Sequence, residues 1–161
     1  RELGNDLGNL LSRTTAMIAR YRGGRISAGG GNALAAGLIE LHDGLPRRLD
    51  EWDLTGALDT IWDVVRGLNR YVEQTKPWEL AKDDARAAEL DAVLFTLADG
   101  LRSVAVALYA YVPDSAPRIL RALGQGSDVS WGGVGPGQLA AAEGIEPAPP
   151  LFPRIDAPAG A

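Results

Sequence analysis

The residues best placed to do chemistry surround a helix break. In Tyr71-Val72-Glu73-Gln74-Thr75-Lys76-Pro77-Trp78-Glu79-Leu80-Ala81-Lys82 an amphipathic helical pattern stops at a proline, and a tryptophan follows at the corner. Trp78 belongs to no long apolar stripe, so its ring can serve as a ligand platform. Single-stranded nucleic-acid bases are commonly held by stacking on such aromatics, each stack worth roughly 1–3 kcal/mol. The competing use of the same residue is a corner tryptophan packed under a loop. Near the start of the chain, Asn9, Arg13 and Arg20 fall within about 40° of one another on a helical wheel, on the flank of an apolar stripe. An amide offers both donor and acceptor and a guanidinium a fork of donors. A pair spaced i, i+4 can therefore hydrogen-bond a base edge and a phosphate together. The alternative is that Asn9 and Arg13 tie neighbouring helices together or solvate an edge.

Other chemistry finds no support. His42 stands beside Asp43 with no serine or cysteine nucleophile motif around it, and reads as a surface or boundary residue. Without cysteine, and with one histidine, the chain has neither a thiolate nor an imidazole-rich metal site. The acidic pairs Asp83-Asp84 and Glu40-Asp43 suit helix capping and solvation. Gly29-Gly30-Gly31 lacks the lysine and the preceding buried strand of a phosphate-binding loop, and is read as a flexible connection between helices. No catalytic residue, metal or cofactor is expected in these residues.

The elements that must position Trp78 and the Asn9 strip follow from periodicity. Leu3, Leu7, Leu10, Thr14, Met17 and Tyr21 alternate spacings of four and three, which predicts a first helix stopped by Gly23-Gly24. A second helix is expected over about residues 33–50, with Pro46 starting a new turn or a kink. Asp53 or Thr55 can cap a third, with Leu58, Ile61, Trp62, Val65, Leu68 and Val72 facing the core until Pro77 ends it. Asp84 can cap a long fourth helix with Leu90, Leu94, Leu97, Leu101, Val104, Leu108 and Tyr111 on one face. Residues 116–123 read as a fifth, ended by Gly124. Beyond it, Gly132-Gly133, Pro136-Gly137 and a proline-rich terminus cannot sustain regular helix, though one turn around residues 138–142 is expected. Trp131 reads as a loop aromatic covering the bundle. The fold class is all-α: an antiparallel helical bundle over residues 1–125, with a Pro/Gly-rich extension, 126–161, packing on it.

At 161 residues and 46% apolar, the chain can bury one sizeable core, and its length suits one domain. No apolar run approaches the roughly 20 residues needed to span a bilayer and no leader pattern opens the chain, so a cytoplasmic protein without membrane contact is expected. Arg1 at the start suggests a piece of something longer. The net charge of −5 speaks against a nonspecific polyanion binder. Its distribution is uneven: residues 1–25 carry Arg1, Arg13, Arg20, Arg22 and Arg25 against Glu2 and Asp6, and the rest carries 11 bases against 19 acids. Nucleic-acid contact should therefore be local and near the first helix.

Three segments in order, Asn5-Asp6-Leu7-Gly8-Asn9-Leu10-Leu11-Ser12-Arg13, Asn69-Arg70-Tyr71-Val72 before Pro77-Trp78, and Pro150-Leu151-Phe152-Pro153-Arg154-Ile155-Asp156, give the whole chain a specific likeness. It resembles the anticodon-binding domain of bacterial methionyl-tRNA synthetases. That resemblance implies that Trp78 stacks on the first anticodon base, the cytosine of CAU. Asn9 and Arg13 would contact the same base and its surroundings, Pro77 would hold the indole in place, and Arg20 would reach the tRNA backbone. The family carries methionine adenylation and transfer, with ATP, in a separate upstream domain with HIGH-like and KMSKS-like motifs, and neither motif is present in this sequence. The implied partners are the tRNA(Met) anticodon loop and the catalytic domain of the same parent chain. Nothing here resembles the family's C-terminal dimerisation module, so a monomer is expected. The rival from another class is a helical protein-interaction module without a nucleic-acid role, with Trp78 as its hot spot.

Overall fold

A computed structural model of the chain describes residues 3–152. Its regular elements are helices, with the α-helices in the order α1 (Asn9–Arg22), α2 (Ala35–Asp50), α3 (Leu54–Thr75), α4 (Pro77–Leu80), α5 (Ala87–Leu108) and α6 (Ser115–Ala122). A π-helical stretch, Leu3–Gly8, leads into α1. The stripe expected on α1 faces inward: Leu7, Leu10, Thr14 and Met17 are buried and Tyr21 is half-buried. Gly23 ends the helix with φ 59° and ψ 34°, a left-handed turn that glycine adopts without a steric penalty. The Asp53 carboxylate caps α3 by accepting from the Gly56 N–H at 2.9 Å, and Ala57, Ile61, Trp62, Val65, Leu68 and Val72 of α3 are buried. α5 is the spine. From Val93 to Leu108 every residue is buried, because α1, α3, α4 and α6 all pack on it.

Several expectations need correction. Pro46 neither stops nor restarts α2, which runs through it from Ala35 to Asp50. Pro46 lacks the N–H that would bond to the His42 carbonyl, and the packing of α3 along α2 holds the helix across that gap. Asp84 does not cap the long helix: it lies in a 3-10 turn, Asp84–Arg86, whose cap is Asp83, accepting from Ala85 N–H at 3.0 Å. Tyr111 lies beyond the end of α5, half-buried, with its hydroxyl donating to the Leu54 carbonyl at 3.1 Å. Residues 138–142 form no helical turn. Ala142 instead pairs with Ile26 in an antiparallel bridge, with N–H to O distances of 2.9 and 3.0 Å.

The extended C-terminal segment packs on the helices through buried Val134, Leu139, Ile145, Ala148 and Leu151. What seats it is a charge inside α5. The fully buried Asp99 carboxylate accepts from the backbone N–H groups of Gly137 (2.7 Å), Gln138 (3.1 Å) and Leu139 (3.0 Å), and from Asn32 Nδ2 (2.8 Å). Arg102, one turn later, donates to the carbonyls of Gly133 and Gly135 and lies 3.4 Å from Asp99. Burial pulls the Arg102 guanidinium below its usual pKa, with Asp99 partly countering. Backbone without secondary structure needs side-chain partners when it is buried, and Asp99 and Arg102 supply them. His42 is half-buried and stacked on Trp131, with ring centroids 5.9 Å apart, so Trp131 covers the bundle as expected.

Candidate nucleic-acid interface

Trp78 sits at a corner built by an unusual backbone. Lys76, between α3 and α4, is left-handed at φ 45° and ψ 64°. That conformation costs a non-glycine residue roughly 1–2 kcal/mol, so the surroundings must hold it. Lys76 nonetheless closes α3, donating its N–H to Val72 at 3.0 Å, and opens α4, accepting from Glu79 at 2.8 Å. Pro77 takes the first position of α4, where a missing N–H costs nothing, and its ring is buried. Trp78 comes next, half-buried, with part of its indole on the core and part facing outward.

Arg13 of α1 comes to this corner. Its guanidinium carbon is 5.9 Å from the centroid of the Trp78 ring, and Nη2 donates to Glu73 Oε1 of α3 at 2.8 Å. The Arg13 and Glu73 side chains are 42% and 62% exposed, so the ion pair adds little stability; its effect is to aim the guanidinium. Nε and Nη1 of Arg13 have no partner among the described residues. Asn9, one turn earlier on the same face, is exposed and makes no side-chain hydrogen bond among the described residues. An aromatic face, free guanidinium N–H groups and a free amide on one surface can hold a flat heterocycle and bond its edge. Arg20 is not part of this cluster. It lies two turns further along α1, exposed, with its guanidinium 5.8 Å over the Tyr21 ring.

Sequence reasoning overlooked Glu73 and Lys76. Glu73 stands in the segment that drew attention to Trp78, but its partner is 60 residues away and no local spacing links them. The other motif residues have packing roles. Asn69 Nδ2 donates to the Asp6 carbonyl at 3.4 Å and ties α3 to the start of α1, and Ser12 donates to the Ala148 carbonyl at 3.3 Å. Leu151 is buried, with Arg118 donating to its carbonyl at 3.1 Å; Pro153, Arg154, Ile155 and Asp156 lie outside the described residues. Among the described residues no helix is long and apolar enough to cross a membrane, and no three acidic or histidine side chains group as metal ligands.

No protein-family model matches the chain. Curated proteins do. It is 41% identical over 141 residues to the methionine–tRNA ligase of Deinococcus radiodurans, covering 81% of this chain and 21% of that protein. It is 34% identical over 161 residues to that of Caldanaerobacter subterraneus, covering 96% of this chain and 25% of that protein. The chain belongs to the methionyl-tRNA synthetase family. The fold agrees with the sequence: the Mycobacterium tuberculosis methionyl-tRNA synthetase solved with methionyl-adenylate superposes with a TM-score of 0.80 at 30% identity, over 96% of this chain and 32% of that one. The chain spans about a quarter of the length of the curated methionyl-tRNA synthetases it matches.

Proposed function

We propose that this chain is the part of a methionyl-tRNA synthetase that reads the CAU anticodon of tRNA(Met). The catalytic domain of the same parent protein would then charge that tRNA with methionine at the expense of ATP. The observation that carries this reading is the Arg13 guanidinium held 5.9 Å from the Trp78 ring, with Asn9 free one turn away. Trp78 is the stacking platform for the first anticodon base, and Pro77 fixes the backbone behind it. Asn9 bonds the base edge, Arg13 bonds the base and the adjoining phosphate, and Arg20 meets the backbone further along. A protein-interaction surface would not require a free amide and free guanidinium donors beside its aromatic anchor. Residues 1–125 act as the recognition bundle and 126–161 as its extension, the described part of which, up to residue 152, packs on the helices. The chain acts as a monomer in the cytoplasm, with no cofactor of its own.

The test is twofold. The chain should bind a CAU anticodon stem-loop more tightly than the same loop with its first base changed. It should also show no methionine-dependent pyrophosphate exchange, since no nucleotide-binding fingerprint follows a strand in its sequence. Equal binding of the two loops, or exchange activity intrinsic to the chain, would overturn the reading.

A further inference from the structure

A groove of about 700 Å³ opens between the α1–α2 loop and the first turns of α5, beyond the residues placed at the Trp78 corner. That volume lies within the usual range for small-ligand sites. Its floor is Ile26, Leu94 and Phe95, all buried, and its wall is the half-buried ring of Tyr21. Gly30 runs against the floor so closely that a β carbon there would stand 2.6 Å from the Phe95 ring, so the loop is seated on the aromatic.

The charges around this groove are the informative part. Arg22 on the groove wall is paired with Asp91, as Arg13 further back on α1 is with Glu73. Arg25 on the rim and Arg20 beside Tyr21 are exposed and have no carboxylate partner among the described residues. The groove's own carboxylate, Asp91, is neutralised by Arg22. In a chain of net charge −5, two uncommitted guanidiniums beside one aromatic-walled groove form a local patch where an anion meets attraction. Arg20 follows Arg13 by two turns of α1, roughly 10 Å, so the groove continues the Trp78 surface within the span of one RNA loop.

We propose that this groove holds a second nucleotide of the RNA strand whose first anticodon base rests on Trp78: the base lies in the groove along Tyr21, and its phosphate meets Arg25 and Arg20. This rests on the anticodon-reading function above, and adds to it a site further along α1, where the α1–α2 loop meets α5. Tyr21 and the apolar floor suit a flat base of any identity, while the guanidinium forks suit phosphate oxygens. The groove therefore contributes affinity, and discrimination at the first base stays with the Trp78 corner.

Titration of a CAU anticodon stem-loop at several salt concentrations tests this with wild type, Arg25→Ala, Ala92→Trp and Trp78→Ala. Ala92 is an exposed residue of the groove wall on α5, so a larger side chain there fills the groove without entering the core. Arg25→Ala should weaken binding about 3- to 10-fold and lower the salt slope by roughly one. Ala92→Trp should weaken it about 10-fold at an unchanged slope. Both should keep the wild-type preference for cytosine at the first base and the wild-type circular dichroism, whereas Trp78→Ala should lose the preference. Wild-type affinity in Ala92→Trp, or an unchanged slope in Arg25→Ala, overturns the groove assignment while intact first-base discrimination leaves the anticodon reading standing. A wild type that fails to distinguish the two loops sinks both.

Discussion

Replacing Trp78 by alanine removes two things at once, and their magnitudes differ enough to be separated. The first is the outward part of the indole, the surface offered to a base; losing one base–aromatic stack costs about 1–3 kcal/mol, or roughly 10- to 100-fold in Kd. The second is the inward part. Trp78 is half-buried against the core, so its truncation costs less than the 3–5 kcal/mol typical of a fully buried tryptophan; about 1–2 kcal/mol is expected. Arg13 also loses the ring it lies beside, a contact worth about 0.5–1 kcal/mol at an exposed site, and keeps only Glu73. The variant should remain folded, with a lower unfolding midpoint, and bind the CAU stem-loop 10- to 100-fold more weakly. Trp78→Phe keeps a ring at the corner and should recover most of the affinity. Fluorescence anisotropy with the labelled stem-loop reads binding, and urea unfolding followed by circular dichroism reads stability. If the folded alanine variant binds as tightly as wild type, the stacking role is wrong and the indole is only a corner wedge.

Asn9→Ala should relax discrimination at the first anticodon base, whereas Arg13→Ala should weaken binding and lower its salt slope by about one, as expected when one partner reads a base edge and the other also meets a phosphate; unchanged titrations would make the strip structural. Asp99→Ala strips four hydrogen bonds from the buried carboxylate and leaves Arg102 uncompensated, so thermal and urea unfolding should show a loss of about 3–5 kcal/mol. A loss under about 1 kcal/mol would show that the C-terminal segment is held by its apolar residues alone. Asp53 has its pKa lowered by the Gly56 N–H and by Arg48, so its cap stabilises α3 above the ordinary aspartate range, about 3.9, and fades as acid takes the pH below it. Asp53→Ala should therefore be less stable than wild type at neutral pH, with the gap closing in acid. A gap that persists unchanged in acid would refute the cap's titration.

What was legible in the sequence was whatever periodicity or local backbone chemistry encodes. The α1 stripe, the core face of α3 and the stop before Pro77 follow from spacing within a single element, and each is where the spacing places it. Asp99 and Arg102 were not legible. They are the two charged residues in the buried stretch of α5 from Val93 to Leu108, and their backbone partners lie in a glycine-rich segment more than 30 residues away, which no helical wheel connects. The turn expected around residues 138–142 failed for the same reason. Its N–H groups had a better partner in Asp99 than in a helix of their own, and Ala142 found Ile26. Local propensity is overridden when a buried charge offers bonds at fixed positions.

The same limit applies to the Trp78 corner, and there it has a functional consequence. Trp78 and Arg13 could each be picked out by type and position, but not the clasp that brings them together, since that depends on Glu73 of α3 reaching across to α1. A long, exposed arginine loses substantial rotamer freedom when it binds, and part of that cost is met beforehand if the free protein already points the guanidinium at the ligand. Lys76 works in the same direction, because a residue held in a left-handed conformation fixes the angle between α3 and α4, and with it the plane in which the indole is offered. Glu73 also sets a limit. Its carboxylate stands beside the place where a phosphate would approach, so the clasp improves the aim of Arg13 while lowering the local positive potential. Under the proposed anticodon reading, a site built this way gains selectivity for a correctly placed base more than overall affinity for RNA, which suits a chain whose total charge is negative.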